Sequence, residues 1–538
     1  MIAFSFTVAL LVAQDEVPAA PTPESRIVRA QDLLADGKVA AARKLLETLA
    51  STGCEDPRVL HGLGRVCLKS GDYDDAVAHL VAASKAKKDD YAILVDLGDA
   101  LFFQGQQAAW SEDYETAGYA LMDARRMYER AAELDTSKAA PWLGAARAER
   151  QRGDLGEAEN LLDKALAIDP DDVGALVELA SILFPKIFAA KNAGNQPAAD
   201  DERSTVATLY HRALEEQPDN AFALNGLAWV ALTADRNDEA VGWFHRSLVA
   251  DPTMTDSYDN LEALLTKNRD DRKKLVGMLD DVVAAASRHA EGDARMYARA
   301  VAHYRRGIAH ALQRDANGLD VDLKRAAELW PEFKNACEFE RVRGLYRDNA
   351  YPKATRILLK LSRHDFDGLL STIGEQKNPN DAVLMIRGLA DKAYKDIDLE
   401  GARELFKITA IATIDSADDW NNYAFFARES GAFEESYDAY ERALELDPGN
   451  PRLLNDTALI LHYHLQRDLD HAEELYAAAI DHGQRLLDDG GLDANASEAT
   501  KVAVFDATNN LTRLKRQRDP TKKKAGKKAR RIEVERDE

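Results

Sequence analysis

Cysteine is scarce in this chain, with three in 538 residues. Cys54, Cys67 and Cys337 have no CxxC partner and no neighbouring histidine at metal-site spacing, which excludes a disulfide framework and a zinc centre. Cys54 and Cys67 fall at the two ends of one predicted helix, roughly 20 Å apart at 1.5 Å per residue, too far to bridge. Long apolar runs are equally rare. Only Ile2 to Ala13 is uncharged and apolar over the length of a secretory leader, and no later stretch reads as a membrane span. Catalytic signatures are missing too. Gly62-Leu63-Gly64 lacks a third glycine and a preceding strand, so it makes no nucleotide loop. Asp169 to Asp172 lacks the later glycine and glutamate of a calcium loop. His462 and His464, two residues apart on a helix, point about 200° away from each other and form no metal pair. No nucleophile, base and orienter can be assembled. The chain reads as non-catalytic, and no motif calls for a cofactor or a metal.

Charge is lopsided. Lys and Arg number 70 against 93 Asp and Glu, a net of −23. The last 28 residues carry 12 basic and 5 acidic side chains, so residues 1 to 510 carry −30. A body that acidic repels phosphate backbones, which leaves any contact with nucleic acid or another polyanion to the basic tail at 513–538. That tail contains KKKAGKKARR without interleaved aromatics, so base stacking is not indicated, and it is expected to be disordered. At the other end, the apolar run followed by a Pro/Ala linker to Pro23 reads as a signal peptide, residues 1–24. The expected location is therefore the periplasm or cell envelope, with a cytoplasmic protein as the alternative.

Glycine and proline are few and act as punctuation between stretches of helical periodicity. Two such stretches align without a gap: APWLGAARAERQRGDLGEAENLLDKALAIDP ending at Pro170, and DDWNNYAFFARESGAFEESYDAYERALELDP ending at Pro448. Shared positions are Trp142 and Trp420, Ala146 and Ala424, Gly153 and Gly431, Ala165 and Ala443. Leu60, Leu63, Gly64, Gly71 and Ala76 repeat the pattern, as do Leu224, Leu227, Ala228, Ala240 and Phe244. Small residues let two antiparallel helices approach closely, and bulky ones fill the space beside the next pair. Gly37, Gly71, Gly153 and Gly431 stand where a helix ends and a positive φ is needed.

These residues resemble the tetratricopeptide repeat, a 34-residue helix-turn-helix unit, in a chain of the bacterial multi-repeat type. The resemblance implies an all-α fold, a right-handed superhelical α-solenoid. Clear units are expected near 23–56, 57–90, 139–172, 221–254, 417–450 and 451–486. Units beginning near Tyr91 and Val173 carry a 14-residue insertion, divided as seven residues per helix, or roughly 10 Å of extra length. With one ordinary unit between them, the two long hairpins should protrude together. Leu101, Phe102, Phe103, Trp110, Phe184, Ile187 and Phe188 continue into them and should pack on each other, on the intervening unit or on a partner. The expected organisation is an N-terminal array at 25–266, degenerate helical repeats at 267–380, and a C-terminal array at 381–512, with EQKNPN (375–380) as the break.

The resemblance also implies that the first helices of successive units line a groove for peptide or protein segments. Carried over position by position, the groove candidates are His61, Arg65, Lys69, Arg147, Arg150, Asn225, Trp229, Asn421, Phe425, Arg428, Asn455 and His462. Asparagines can bind a peptide backbone of any sequence, and Trp229 and Phe425 would anchor apolar side chains. The Lys-x-x-Gly-Asn start of the carboxylate clamp found in chaperone-binding members is missing. The expected function is a non-catalytic scaffold or adaptor with other proteins as partners. A self-assembling envelope component and an accessory subunit of an enzyme complex are the alternatives.

Overall fold

A computed structural model of the protein describes residues 22–288 and 292–518. The leader and most of the basic tail lie outside the described residues. Every regular element among the described residues is helical. They form two compact units, one extending to Leu261 and the other from Glu262 onward, apart from an exchange at residues 251–253.

The first unit begins with α1 (Pro23–Ala35), α2 (Val39–Ser51), α3 (Pro57–Ser70) and α4 (Tyr73–Ala86). A long pair follows, α5 (Tyr91–Trp110) and α6 (Tyr114–Leu134), then an ordinary pair, α7 (Ala140–Arg152) and α8 (Leu155–Ile168). The second long pair is α9 (Val173–Asn192) and α10 (Gln196–Glu216), followed by α11 (Ala221–Thr233) and α12 (Asn237–Ala250). The long pairs measure 20 and 21 residues, against 13 and 14 for α7 and α8. Seven residues have indeed been added to each helix.

After α13 (Thr255–Leu264), the second unit contains α14 (Arg269–Ala286), α15 (Asp293–Leu312), α16 (Ala316–Leu329), α17 (Lys334–Arg347) and α18 (Tyr351–His364). It continues with α19 (Phe366–Gly374), α20 (Pro379–Lys395), α21 (Leu399–Ala412), α22 (Ala417–Glu429) and α23 (Phe433–Leu446). Last come α24 (Pro451–Leu459), a π-helical turn at Ile460–Leu465, α25 (Leu469–Asp488) and α26 (Ala494–Arg518). The break expected at 375–380 is only a turn. One core runs past it, from Phe339 through Leu369 and Ile386 to Ile460, because helices on both sides bury their apolar faces together. The basic tail is corrected at its start as well: Arg513 to Arg518 are the last turns of α26, where Lys515 and Arg518 pair with Glu473 at 3.4 and 3.0 Å.

Most of the hairpin turns share one design. In these, the first or second residue beyond the first helix has positive φ, and the next amide bonds back to the carbonyl five residues earlier, closing the helix end. Gly71 (φ 78°) with Asp72 N to Cys67 O at 3.0 Å is one example, and Gly153 (φ 89°) with Asp154 N to Glu149 O at 3.0 Å another. Glu112, Asp235, Arg314, Asn349 and Ile397 fill the same position at φ 58–65° without being glycine. Between the helices, alanines such as Ala124, Ala158, Ala165 and Ala213 are fully buried, allowing the close approach inferred from their spacing. Tyr128 from α6 lies where a Cβ at Gly98 or at Gly144 would come within 2.7 Å of its ring, so those two glycines admit it between α5 and α7.

Candidate functional site

Within the first unit, α7, α9 and α11 are the first helices of three consecutive pairs, and a cleft of about 800 Å³ opens along them. Four residues expected in the groove meet in it: Arg147 and Arg150 from α7, Asn225 and Trp229 from α11. Local sequence sets the helices. The Asp172 side chain accepts the Ala175 amide at 2.8 Å to start α9, and Asn220 accepts the Ala223 amide at 3.0 Å to start α11. Tyr210 of α10 reaches between them because Gly226 has no side chain: a Cβ there would lie 2.2 Å from its ring. Burial pushes the Tyr210 phenol up, with Ser181 Oγ 3.4 Å from its hydroxyl opposing and Glu178 reinforcing the rise.

The charges of the cleft are already engaged. Arg147 Nε donates to Glu178 Oε1 at 2.9 Å, and Arg150 Nε lies 3.0 Å from Glu178 Oε2. One carboxylate between them leaves a single net positive charge, on side chains that stay about 45% exposed. A similar arrangement occurs two repeats earlier, between α3 and α5. His61 Nε2 lies 2.6 Å from Asp96 Oδ2 of α5, and Arg65 Nε 3.6 Å from the same oxygen. Lys69, in the last turn of α3, is exposed. Asp99, on α5, accepts the Tyr128 hydroxyl at 2.6 Å, and burial raises its carboxyl pKa despite that bond. Sequence reading missed Glu178, Asp96 and Asp99, since an acidic residue in an acidic chain carries no distinguishing signal.

α9 and α11 supply the aromatic lining of the cleft: Phe184, Phe188, Phe222 and Trp229 border it, with Phe222 63% and Phe188 43% exposed. Trp229 packs edge-on against Phe244 at 6.2 Å, so it is both core and cleft wall. Phe188 belongs to the lengthened part of α9 and stacks edge-on with Phe184 just before it, with ring centroids 5.5 Å apart. The insertion therefore extends one wall of the groove. It also packs on the short pair between the two long hairpins: Lys186 Nζ meets Glu159 Oε2 of α8 at 2.9 Å, and Ile187 is fully buried. This double duty leaves α9 with three charged residues, Glu178, Lys186 and Lys191, in a mostly apolar helix. By length and composition α9 could cross a membrane, the one described helix that could, contrary to the sequence reading. Here Leu176, Leu179 and Leu183 face the core, while Val173, Val177 and Phe184 face the cleft. Apolar surface is left at the end of the first long hairpin, where Trp110 is 82% and Tyr114 71% exposed.

In the second unit, Asn421 and Phe425 border a smaller cleft of about 350 Å³ with Arg387 and Arg452. Asn421 Oδ1 is buried there without a hydrogen-bond donor among the described residues. Arg428 lies over the Phe425 ring at 4.9 Å and pairs with Glu429 at 3.0 Å, so it packs rather than reaching out. Asn455 and His462 are not groove residues. They are 4% and 3% exposed, because α26 returns across this face: Asn510 Nδ2 donates to Asn455 Oδ1 at 3.2 Å, and Gln517 Oε1 lies 3.0 Å from His462 Nε2. Burial lowers the His462 imidazole pKa against the opposing effect of Gln517.

Tetratricopeptide repeat models match residues 33–97, 139–182, 207–255 and 420–450, each across helices described above. Among solved structures, a thermophilic TPR protein of Thermus thermophilus is 22% identical, with 40% of this chain and 99% of that one covered at a TM-score of 0.30. The MamA protein of Desulfovibrio magneticus is 17% identical, covering 36% and 98% at 0.28. A tetratricopeptide repeat protein of Parabacteroides merdae is 14% identical, covering 57% and 93% at 0.33. No curated protein sequence matches the chain.

Proposed function

We propose that this chain, a tetratricopeptide repeat protein, is a non-catalytic scaffold that holds a protein segment in the α7–α9–α11 cleft. The observation that carries the reading is the cleft's lining, which joins exposed aromatics of α9 and α11 to the paired arginines of α7. Phe188, Phe222 and Trp229 suit an apolar anchor, since exposed aromatic area repays desolvation when a partner covers it. The Arg147 and Arg150 pair, one charge in excess over Glu178, suits a carboxylate beside that anchor. Asn220 and Asn225 can bond to the segment's backbone. Crosslinking in native cells followed by mass spectrometry tests the reading. Crosslinks should map to α9 and α11, and Phe188→Ala with Phe222→Ala should abolish them while leaving helical circular dichroism intact. Crosslinks unchanged in that variant would reject the cleft as the binding site.

A second reading rests on Trp110 and Tyr114. Two largely exposed aromatics beside one hairpin turn favour self-association through the first long hairpin. In that case Trp110→Ser lowers the assembly mass seen by light scattering, and the cleft variants do not. We further propose export to the cell envelope, supported by the Ile2 to Ala13 run.

A further inference from the structure

A scaffold needs more than one attachment point, and α18 in the second unit has the surface for another. Its fourteen residues, YPKATRILLKLSRH, contain no acidic side chain, in a protein of net charge −23. Ala354, Leu358 and Leu361 are buried in the core, while Lys353, Arg356, Lys360, Arg363 and His364 are exposed. The spacing of three, seven, ten and eleven residues from Lys353 places all five on one side of the helix, within an arc of about 100°. Arg363 meets Glu400 at 3.4 Å across open solvent, with both side chains more than 60% exposed. Lys353, Arg356 and Lys360 have no ion-pair partner among the described residues, whereas Arg125, Arg147 and Arg387 each pair with a carboxylate on a neighbouring helix.

The stripe is also shaped. A cleft of about 520 Å³ is bordered by Arg356, Lys360 and Arg363 with Leu359 between them, and a second of about 330 Å³ shares Arg356 and Leu359. Lys392 lines that second cleft, its ammonium 5.1 Å from the Tyr351 ring, as do Asp396 and Asp398. From Lys353 to His364 the stripe is ~16 Å long, the span of about five residues of extended chain.

We propose that α18 is a docking surface for a short acidic peptide segment that carries one apolar side chain, seated on Leu359. Charge complementarity selects an anion, and the acidic surroundings select a short one. A duplex or a long single strand would lay its remaining phosphates against a body of charge −30, beyond a stripe screened over about 8 Å at physiological salt. A membrane would require apolar groups to insert, and none of the exposed large apolar side chains lies on α18. This inference stands apart from the cleft of the first unit, and each can fail without the other.

The test uses the full chain and a fluorescein-labelled acidic heptapeptide, with a central leucine flanked by two acidic residues on each side, followed by anisotropy at low and physiological salt. Binding should weaken with salt. Arg356→Glu with Lys360→Glu should weaken it about tenfold, from two reversed charge contacts. Arg356→Lys with Lys360→Arg should keep it. Equal affinity in the charge-reversed variant, with unchanged circular dichroism, would overturn the proposal. Stronger binding of oligothymidylate or phosphatidylserine vesicles than of the peptide would overturn it also.

Discussion

Arg147 on α7 donates its Nε proton to Glu178 on α9 across 2.9 Å, linking the first helices of two successive repeats. Arg150, one turn further along α7, takes the other oxygen of that carboxylate at 3.0 Å. The cleft is thus preset: its positive charge is oriented before any ligand arrives, at the cost of sharing it with Glu178.

Removing Glu178 should strengthen binding of an acidic segment. Glu178→Gln keeps the shape and frees both guanidinium groups, so capture of the native partner rises while stability falls by no more than about 1 kcal/mol, the worth of an exposed pair. Arg147→Glu with Arg150→Glu faces three carboxylates at one another and should reduce capture. Pull-down yield and melting temperature, measured together, separate the two effects. Capture that does not respond to either variant would exclude this charge cluster from binding.

In the second unit, Arg387 grips Asp419 with two donors, Nε at 2.8 Å and a shorter contact from the terminal nitrogen, and Thr413 Oγ1 donates at 2.5 Å. Asp419 is 1% exposed. Burial alone would raise its carboxyl pKa, but Arg387 and Thr413 outweigh burial and hold it below the ordinary value. A lowered folded-state pKa means that the stabilisation is complete above the unfolded value, near 3.9, and is lost as pH falls through the folded one. The stability gap between the native chain and Asp419→Asn should therefore be constant from pH 7 down to about 5 and close below about 4. Denaturant midpoints across that range give the answer. Asp419→Ala, which leaves a 35% exposed Arg387 free to rehydrate, should cost about 1 to 3 kcal/mol at neutral pH.

Ile397 is a β-branched residue at φ 65° with 84% of its surface exposed. It gives up little packing and bears the strain of the left-handed region, which is about 1 to 2 kcal/mol for a residue with a Cβ. Ile397→Gly should stabilise the second unit by about 0.5 to 1 kcal/mol, after the extra unfolded-state freedom of glycine is subtracted. Gly431→Ile, the reverse exchange at the equivalent turn, should destabilise by more. Urea midpoints decide both.

Export predicts a mature N-terminus at or shortly after Gln14. Edman sequencing of protein from native cells should find it, and an intact Met1 on soluble cytoplasmic material would count against export.

Helix lengths, hairpin order and the seven-residue extensions could all be read from the sequence, because helical periodicity and helix termination are local properties. Gly71, Gly153 and Gly431 announce their turns, since glycine is the residue that accepts a positive φ without cost. Arg314, Asn349 and Ile397 adopt that backbone under the pull of the paired helices, so the middle of the array looked degenerate in sequence while its turns follow the same rule. The groove was legible in outline: four of its proposed residues do share one cleft. What surrounds them was decided only in three dimensions. Glu178 stands 31 positions from Arg147, and the residues of α26 that cover Asn455 and His462 stand 55 positions away. A hydrogen bond or ion pair across such separations depends on which helices become neighbours after packing. No periodicity in the chain encodes that choice. Spacing therefore specified a stack of helical hairpins, and the packing of non-adjacent helices determined which of their inward side chains remained open to a partner.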